Sequence, residues 1–232
     1  MSTFQAKLVG FHDLAPEVRH FVLEVPGNQR FTYAPGQFVS ITEPLHGQEI
    51  TRAYSVASPP NGNRFELCLN RVQEGVFSPH LFQLSPGDTV HMQGPLGYFV
   101  PRNPISDSVF IATGTGIAPI RSILEHLLKS GEEHQFTLLF GVRHEAGLLY
   151  REEFDALAAR HPNFRFWPTL SRPEASWRGR TGHVQRHLSE AIGERRDLDI
   201  YVCGLKAMVD DVRSTLKTAG FDRRHIIYEK YD

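Results

Sequence analysis

Apolar and polar residues alternate in short runs along the first hundred or so residues of the chain. The runs AKLVGF, FVLEV, QFVSI, AYSVA, RFELCL and TVHMQ predict strands of four to seven residues. Turn-forming sequences such as APGQ, SPPNGN and SPGD separate them. Strands at this spacing are typical of an antiparallel barrel or sandwich. The segment SPHLFQL predicts one short helical turn among them.

From about residue 104 the pattern changes to longer apolar runs that alternate with helix-like segments. The strands predicted there are SVFIAT, FTLLFGV, FRFWPTL, DIYVCG and IIYE, and the helices are PIRSILEHLLKSG, YREEFDALAARH, HVQRHLSEAI and KAMVDDVRSTLKTAG. Pro119 suits the first position of a helix, and Gly131 suits its end. One apolar face of this helix comprises Ile120, Ile123, Leu124, Leu127 and Leu128. The alternation predicts a doubly wound parallel sheet with helices on both faces and right-handed crossovers.

These two patterns of apolar and polar residues predict two domains. We expect an antiparallel β-barrel over residues 1–101, followed by an α/β domain with a parallel sheet over residues 104–232; two prolines in VPRNPIS mark the junction. A length of 232 residues suits two modest domains. A formal net charge of −1 argues against a nucleic-acid binder driven by bulk charge. We see neither a run of ~20 apolar residues nor a secretory signal, and therefore expect a cytoplasmic protein that binds no membrane.

Cysteine usage limits the metal and redox chemistry open to the chain. The sequence has two cysteines, Cys68 and Cys203, and no C-x-x-C. A zinc ribbon, a disulfide framework and a Cys-ligated iron–sulfur cluster are therefore excluded. The motifs H-E-x-x-H, G-x-S-x-G and G-x-x-x-x-G-K-[ST] are also absent from the sequence. We expect no metal site.

The sharpest local motif is T-G-T-G-I-A-P, which begins at Thr113, between a predicted strand and a predicted helix. Gly114 and Gly116 allow the backbone to turn tightly and to approach a diphosphate. The helix N-terminus behind them supplies free N–H groups and the positive end of a dipole. Pro119 stands where the third glycine of G-x-G-x-x-G would be. The alternative interpretation is an ordinary tight strand–helix turn.

Arginine is concentrated in the second half, with ten Arg and no Lys between Arg143 and Arg196. Arg143 and Arg172 follow predicted strands, and Arg180 lies in a glycine-flanked loop. Because Arg binds phosphate with two parallel hydrogen bonds, these three residues are candidates for a 2′-phosphate clamp. A solvated surface is the better interpretation for Arg151, Arg160, Arg195 and Arg196.

Six motifs occur in a fixed order along the whole chain. They are R-A-Y-S at the start of a predicted strand, G-V-F-S, G-P-L-G-Y-F, G-T-G-I-A-P, Y-V-C-G-L-K-A-M and a terminal Y-E-K-Y-D. In this combination the chain resembles the ferredoxin–NADP⁺ reductase superfamily. The resemblance implies an FAD-binding antiparallel barrel followed by a domain that binds a nicotinamide dinucleotide.

The resemblance implies roles in the first domain. Arg52 would meet the FAD diphosphate, Tyr54 would stack on the isoalloxazine ring, and Ser55 would hydrogen-bond near flavin N5. The diphosphate would also be held by the loop of Gly75, Val76, Phe77 and Ser78. Backbone contacts to the flavin or its ribityl chain would come from Leu69, Asn70, Arg71 and Val72. Without the ordered motifs, Tyr54, Phe99 and Tyr231 would be taken as ordinary packing residues.

In the second domain, the resemblance implies a nicotinamide site. The cofactor's diphosphate would lie on Thr113, Gly114, Thr115 and Gly116, and Cys203 and Gly204 would border the nicotinamide. Tyr231 would cover the second flavin face and move aside as a gate, with Glu229 nearby. Asp232 stands where many relatives end in Trp. The implied catalytic residues are Ser55, Cys203, Glu229 and Tyr231; for Cys203, a small buried residue at a strand end is the alternative interpretation.

Ser171 and Arg172, with Arg143 and Arg180, resemble the NADP⁺-using bacterial branch, so we predict a preference for NADPH. The run W-R-G-R-T-G at 177–182 is similar to NAD-using oxygenase reductases, which keeps NADH as the alternative. The chain ends where its motifs end, so we expect a monomer that passes single electrons to a separate carrier such as ferredoxin or flavodoxin. A free-flavin reductase, the reductase component of an NADH-using oxygenase and a non-catalytic ligand-sensing module are the other hypotheses.

Overall fold

The computed structural model of the chain describes residues 2–27 and 31–231. Within these ranges the first half forms an antiparallel sheet in the order β4-β3-β6-β1-β2-β5, and the second half a parallel sheet in the order β10-β9-β8-β7-β11-β12. The strands are β1 Ser2–Ala15, β2 Val18–Glu24, β3 Phe38–Leu45, β4 Gln48–Ser55, β5 Arg64–Asn70, β6 Thr89–Leu96, β7 Ser108–Thr113, β8 Phe136–Val142, β9 Phe164–Leu170, β10 Arg180–Thr181, β11 Asp199–Leu205 and β12 Ile226–Tyr231. The α-helices are α1 Phe77–Gln83, α2 Ile117–Lys129, α3 Arg151–Arg160, α4 Leu188–Ile192 and α5 Lys206–Thr218. The fold class predicted from the sequence is thereby confirmed.

The strands of the first sheet are longer than predicted. They span seven to fourteen residues, and β1 has fourteen because it serves two partners in succession. Its first part, from Ser2 to Lys7, pairs with β6, and the part from Lys7 to Ala15 pairs with β2. The alternation of apolar residues marks only the stretches that face the core, so the prediction of four to seven residues was wrong for strands whose ends extend into solvent.

The β3–β4 hairpin corrects the predicted place of the R-A-Y-S motif. Leu45 pairs with Gln48 across a two-residue turn, in which His46 and Gly47 both have positive φ angles, 52° and 77°. Turns with two positive φ angles match the twist of a hairpin. Strand β4 therefore begins at Gln48, and Arg52 to Ser55 form its end rather than its start.

The antiparallel sheet curls until its two edge strands meet. A bridge between Val56 and Leu67 joins the chain just after β4 to β5. The side chains inside the curl are apolar and buried, among them Leu8, Phe21, Ile41, Phe65, Leu67 and Met92. Before this bridge β4 pairs with β3, and β5 pairs with β2. Apart from this bridge, β4 and β5 are not paired with each other in the described structure, and we call the space between their unpaired edges the cleft.

Helices cover both faces of the parallel sheet, as predicted. On β7, Phe110 and Ala112 pack with α2 and α3, whereas Val109 and Ile111 pack with α4 and α5. This is the period-2 alternation of a strand buried on both faces. The first face also packs against Ala57, Cys68 and Phe99 of the barrel half. No helix in the described part of the chain is long and apolar enough to span a membrane.

Three local predictions for the second half need correction. Helix α2 begins at Ile117, so Pro119 occupies its third position, where the N–H that proline lacks is still one that no helical carbonyl would accept. The segment HVQRHLSEAI is not one helix but a 3₁₀ turn, Val184–His187, followed by α4. The last strand continues past the predicted I-I-Y-E to Tyr231, because its pairing with β11 continues to Leu205.

Candidate active site

The end of β4 and the end of β12 meet at one hydrogen-bonded cluster. The Ser55 hydroxyl donates to Glu229 Oε1 over 2.8 Å, and the Tyr231 hydroxyl donates to Ser55 Oγ over 2.7 Å. Ser55 is buried at the tip of β4, while Glu229 and Tyr231 are partly buried. Three of the four residues implied as catalytic are thus joined in one line of hydrogen bonds. The fourth, Cys203, pairs in register with Glu229 on the adjacent strand β11.

Burial sets the electrostatics of this cluster. It raises the pKa of Glu229, and the Ser55 hydroxyl offsets part of that rise by donating to the carboxylate. Burial also raises the pKa of Cys203 well above its ordinary value, and the nearby Glu229 carboxylate adds to the rise. The Tyr231 pKa is raised by burial and then by the negative charges that Cys203 and Glu229 can carry. All three pKa values are thus shifted upward by burial, and the Ser55 hydroxyl lies between two partners of this cluster.

Tyr54 presents an aromatic surface next to Ser55. Its ring stacks on that of Phe77 with 6.3 Å between centroids and 21° between planes. Burial raises the pKa of Tyr54 to about 12, so the phenol stays neutral. Phe77 begins α1, and Ser78 is buried behind it, where its hydroxyl accepts a hydrogen bond from the Val72 N–H at 2.9 Å. This bond closes the loop from Val72 to Ser78 beside Tyr54.

The cleft between β4 and β5 fits a flavin. Leu69 is buried in the barrel, whereas Asn70, Arg71 and Val72 are exposed along the rim, Val72 by 54%. Arg52 is also exposed, and its Nη1 donates only to the carbonyl of its neighbour Thr51 in the described structure. Val76 is 45% exposed after the open turn at Gly75. Apolar side chains at a cleft rim, a free guanidinium and a polar hydroxyl at its end are what a flat, polar-edged ring with a diphosphate tail requires.

The motif G-P-L-G-Y-F packs against the strand next to the same cleft. Gly97 has a φ of +94°, and a Cβ there would lie 2.8 Å from the Phe38 ring. Gln37 donates a side-chain hydrogen bond to the Gly97 carbonyl over 3.2 Å. Because Phe38 pairs with Ser55 across β3 and β4, a side chain at Gly97 would disturb the strand end that carries Ser55. The sequence predicted this motif only as part of the resemblance, and Gln37 was missed.

The loop after β7 fits a nicotinamide dinucleotide. Gly114 has a φ of +54°, and no atom lies within 4 Å of where its Cβ would be. The buried Thr113 Oγ1 has no hydrogen-bond partner among the described residues. A 3₁₀ turn, Gly114–Gly116, then leads into α2. The Ile117 N–H closes this turn by bonding to its carbonyls, so the N–H groups left for an anion are those at the start of the turn. An open glycine turn, an orphaned hydroxyl and a helix N-terminus form a cradle for a diphosphate, with Thr115 at its centre.

The flavin cleft and the nucleotide cradle adjoin. A Cβ at Gly116 would lie 2.5 Å from the Cys203 carbonyl oxygen, so only glycine lets α2 approach β11 this closely. A Cβ at Gly204 would lie 2.3 Å from Thr113 Oγ1, so this close approach of β11 to Thr113 also requires glycine. Since Cys203 pairs with Glu229, the cradle and the Ser55 cluster are separated by little more than one strand spacing. Cofactors held at these two sites would therefore lie close to each other.

The predicted arginine clamp is only partly free to bind a ligand. Arg143 and Arg172 are exposed after β8 and β9, and the Arg172 N–H donates to the Arg143 carbonyl over 2.8 Å. Within the described ranges neither guanidinium has an ion-pair or hydrogen-bond partner, and Ser171 lies between their strand ends. Arg180, in contrast, forms two bonds of 2.5 and 2.7 Å to Glu190 and lies 4.0 Å above the Trp167 ring. The structure therefore brings Arg143 and Arg172 together and leaves Arg180 already paired.

Sequence reasoning missed a buried charged cluster between the two halves. Arg121 on α2 is 8% exposed and bonds to Glu66 on β5 and to Glu153 on α3. The one feature of the sequence that could have indicated this cluster is the pair Arg121 and Glu125, which lie at i and i+4 of a helix with apolar residues around them. Asp232, the terminal residue considered above, lies outside the described residues.

Comparisons with known proteins agree with this geometry. Residues 5–100 match the family model for the oxidoreductase FAD-binding domain, and residues 110–214 match that for the oxidoreductase NAD-binding domain. Ferredoxin–NADP reductase B of Sorangium cellulosum is 40% identical over 99% of this chain and 98% of its own length. The chain belongs to the ferredoxin–NADP reductase superfamily. The expected FAD and NAD(P)(H) cofactors and the oxidoreductase class are thereby confirmed.

Further matches describe the range of this reductase's relatives. A ferredoxin–NADP⁺ reductase from Neisseria gonorrhoeae, solved with bound FAD and NADP, superimposes with a TM-score of 0.85 at 26% identity and covers 99% of both chains. The reductase component of phenol 2-monooxygenase from a Pseudomonas species is 34% identical over 94% of this chain, which covers 63% of that protein. Electron transfer from NAD(P)H through FAD to a carrier is therefore the activity of this reductase.

Proposed function

We propose that this reductase oxidises NADPH and passes the electrons singly to a separate ferredoxin or flavodoxin. Bound FAD supplies the hydride-accepting and electron-splitting chemistry. The observation that carries the proposal is the shared boundary of the Ser55 cluster and the Gly114–Gly116 cradle, which would bring a bound flavin and a bound nicotinamide close together. We also propose residues 1–101 and 104–232 as the two domains. The expected monomeric state and cytoplasmic location stay predictions.

We assign the flavin contacts to the residues that the resemblance implied. Tyr54 would stack on one face of the ring, and Ser55 would turn its hydroxyl from Glu229 toward flavin N5. Arg52 and the loop of Gly75, Val76, Phe77 and Ser78 would hold the diphosphate. The rim of the cleft would contact the ring and ribityl chain through Leu69, Asn70, Arg71 and Val72.

Glu229 and Tyr231 would act from the other side of the cleft. The raised pKa of Glu229 allows its carboxyl group to hold a proton nearer neutral pH than an exposed glutamate does, and Ser55 connects it to the flavin. Tyr231 lies against Ser55 and must move for a nicotinamide to stack there. The Cys203 thiol and Gly204 would border the nicotinamide, and Thr113, Gly114, Thr115 and Gly116 would hold its diphosphate.

An anaerobic titration tests the proposal. The purified protein is expected to be yellow, to keep its FAD through gel filtration, and to be bleached by NADPH at much lower concentration than by NADH. Loss of FAD on gel filtration would favour a free-flavin reductase. A protein that holds FAD but is bleached by neither nucleotide would favour the hypothesis of a non-catalytic ligand-sensing module.

Replacing Arg172 with Ala is expected to lower kcat/KM for NADPH by about tenfold and to leave the value for NADH within about twofold, because a charge-assisted bond to the 2′-phosphate contributes about 1.5–3 kcal/mol. Steady-state kinetics with both nucleotides measure the effect. Arg165→Ala is the matched control, since Arg165 is also exposed but lies near the opposite end of β9. Equal losses with NADPH and NADH would contradict a phosphate clamp at Arg172.

A second candidate function is the reductase component of an oxygenase that uses NADH. It is favoured by the pairing of Arg180 with Glu190, which removes one arginine from the clamp, and by the similarity to the phenol 2-monooxygenase component. Bleaching at lower concentration by NADH than by NADPH would select this candidate and discard the NADPH preference.

A further inference from the structure

We propose that Arg121 is a positioning residue for hydride transfer, which fixes the nicotinamide cradle relative to the strand that carries Ser55. The inference rests on the proposed function, since it concerns how the two cofactor sites keep their separation. It concerns residues outside both cofactor sites.

Arg121 joins the two halves of the molecule directly. Its Nη1 donates to the Ala57 carbonyl over 2.8 Å and to Glu66 Oε2 over 2.6 Å, and both acceptors belong to the barrel half. The neighbouring residue of α2 adds a third bond, from Ser122 Oγ to the Ser58 carbonyl over 2.6 Å. Two successive residues of one helix therefore bind one short segment of the barrel.

The rest of the guanidinium is held on its own side of the interface. Nε and Nη2 donate to both oxygens of Glu153 on α3, at 2.8 to 3.1 Å, and Nη2 lies 2.9 Å from Glu125 Oε1. The guanidinium carbon lies 4.6 Å from the centre of the Tyr150 ring. Four of the five N–H groups are thus hydrogen-bonded, the fifth is at an ion-pair distance from Glu125, and a ring lies beneath the planar group, which leaves it a single orientation.

The covalent paths from this joint to the two sites are short. Ala57 follows Ser55 by two residues, and its N–H is bonded to the Glu66 carbonyl over 2.7 Å, so the segment is held on both sides. Arg121 follows Gly116 by five residues in the same helix that ends the cradle. A shift of Arg121 against Ala57 would therefore shift the cradle against Ser55. Misplacement of reacting groups by about 1 Å can lower a rate by about 100-fold.

Lysine is the informative substitution at this position. Arg121→Lys keeps a positive charge among Glu66, Glu125 and Glu153, so no uncompensated group of carboxylates is left at the interface. A single ammonium group cannot reach Ala57, Glu66 and Glu153 together, as the guanidinium fork does. The variant therefore loosens the joint while it keeps the electrostatic balance.

The test combines kinetics with a measurement that needs no turnover. For Arg121→Lys we expect the limiting rate of flavin bleaching by NADPH to fall by about tenfold or more, with the half-saturating NADPH concentration unchanged within about twofold. Backbone hydrogen exchange of the FAD-loaded protein, without nucleotide, should speed up in residues 57–66 and 114–125 only. The control His126→Ala, at an exposed position of the same helix, should change neither quantity.

Unchanged bleaching and unchanged exchange in Arg121→Lys would overturn the proposal. So would exchange that rises throughout the protein while rate and NADPH affinity fall together, because that pattern indicates loss of folding rather than of position. If Arg121→Lys does not retain FAD, Ser122→Ala decides, since it removes one bond of the joint without a charge: a slower limiting rate supports the proposal, and the wild-type rate overturns it. A wild-type protein that neither nucleotide bleaches refutes the proposed function instead.

Discussion

Replacing Ser55 with Ala is expected to slow the bleaching of bound flavin by saturating NADPH by about 100-fold to 1,000-fold, the cost of removing one hydrogen-bond donor at the reacting centre. In the structure the Ser55 hydroxyl connects Tyr231 with Glu229 by hydrogen bonds. Alanine removes the donor expected near flavin N5. It also leaves the partly buried Glu229 carboxyl without the bond that lowers its pKa.

Stopped-flow absorbance, normalised to bound FAD, measures this effect. Normalisation matters because an unsatisfied buried group costs about 1–3 kcal/mol and lowers the amount of folded protein. Ser55→Thr keeps the hydroxyl and should recover most of the rate. Thr51→Ala is the control, since its hydroxyl lies on the same strand but bonds only to Thr42 Oγ1, over 2.8 Å. A Ser55→Ala rate within about threefold of wild type would refute the role of this hydroxyl.

The second large effect concerns His20, which is buried at the interface between the halves. Burial and the nearby Arg121 charge lower the pKa of His20 from 6.5 to about 3, while its Nδ1 is hydrogen-bonded to the Tyr150 hydroxyl at 3.0 Å. The unfolded chain therefore binds a proton at pH values where the folded protein does not. Stability from this group is fully present above pH 6.5 and is lost as the pH falls toward 3.

Between about pH 7.5 and about pH 5, His20 should lower the free energy of unfolding by about 2 kcal/mol. Glu153 acts in the opposite direction, because burial raises its pKa to about 7 and the folded protein then binds a proton that the unfolded chain has released. The effects of His20 and Glu153 on the free energy of unfolding partly cancel in the wild type. The effect of His20 must therefore be measured by comparing the wild type with a variant that lacks this histidine. Relative to wild type, His20→Asn should gain about 2 kcal/mol when the pH is lowered over this range.

Urea unfolding of both proteins at the two pH values checks this prediction. Asparagine is chosen because its side-chain amide can both donate and accept, so it can bond to the Tyr150 hydroxyl in either role that Nδ1 takes. The difference in free energy of unfolding between His20→Asn and the wild type at the higher pH serves as the reference for the same difference at the lower pH. A difference between the two proteins that does not change with pH would show that His20 is not forced to stay neutral in the fold.

The elements that the sequence predicted best are those of the parallel sheet. Strands β7, β8 and β9 have the predicted bounds, because their apolar runs end abruptly at polar or turn-forming residues. Strands with one solvated face gave weaker signals, so β1 was predicted too short. The β3–β4 turn uses His46 and Gly47, a pair without the Asn-Gly signature of such turns, and this placed Arg52 at the wrong end of its strand.

The residues of the candidate site also differ in how well the sequence predicted them. Thr113 to Gly116 are contiguous, so their chemistry was visible in the sequence as a glycine turn before a helix. Ser55 and Glu229 are 174 residues apart, and from the sequence they were related only through the resemblance to a family. The engagement of Arg180 with Glu190 was not visible at all, since nothing in a solvent-exposed arginine's local pattern indicates which carboxylate it meets.

The sequence by itself determined the two patterns of apolar and polar residues, the family and the turn that cradles a diphosphate, because each is encoded in residues close together along the chain. Only the tertiary structure decided which strand ends meet, how Ser55, Glu229 and Tyr231 share their hydrogen bonds, and that Arg121 joins the two halves. Such contacts depend on how the two sheets pack against each other. Burial then shifts the pKa values of the groups that packing encloses, downward for His20 and upward for Glu229.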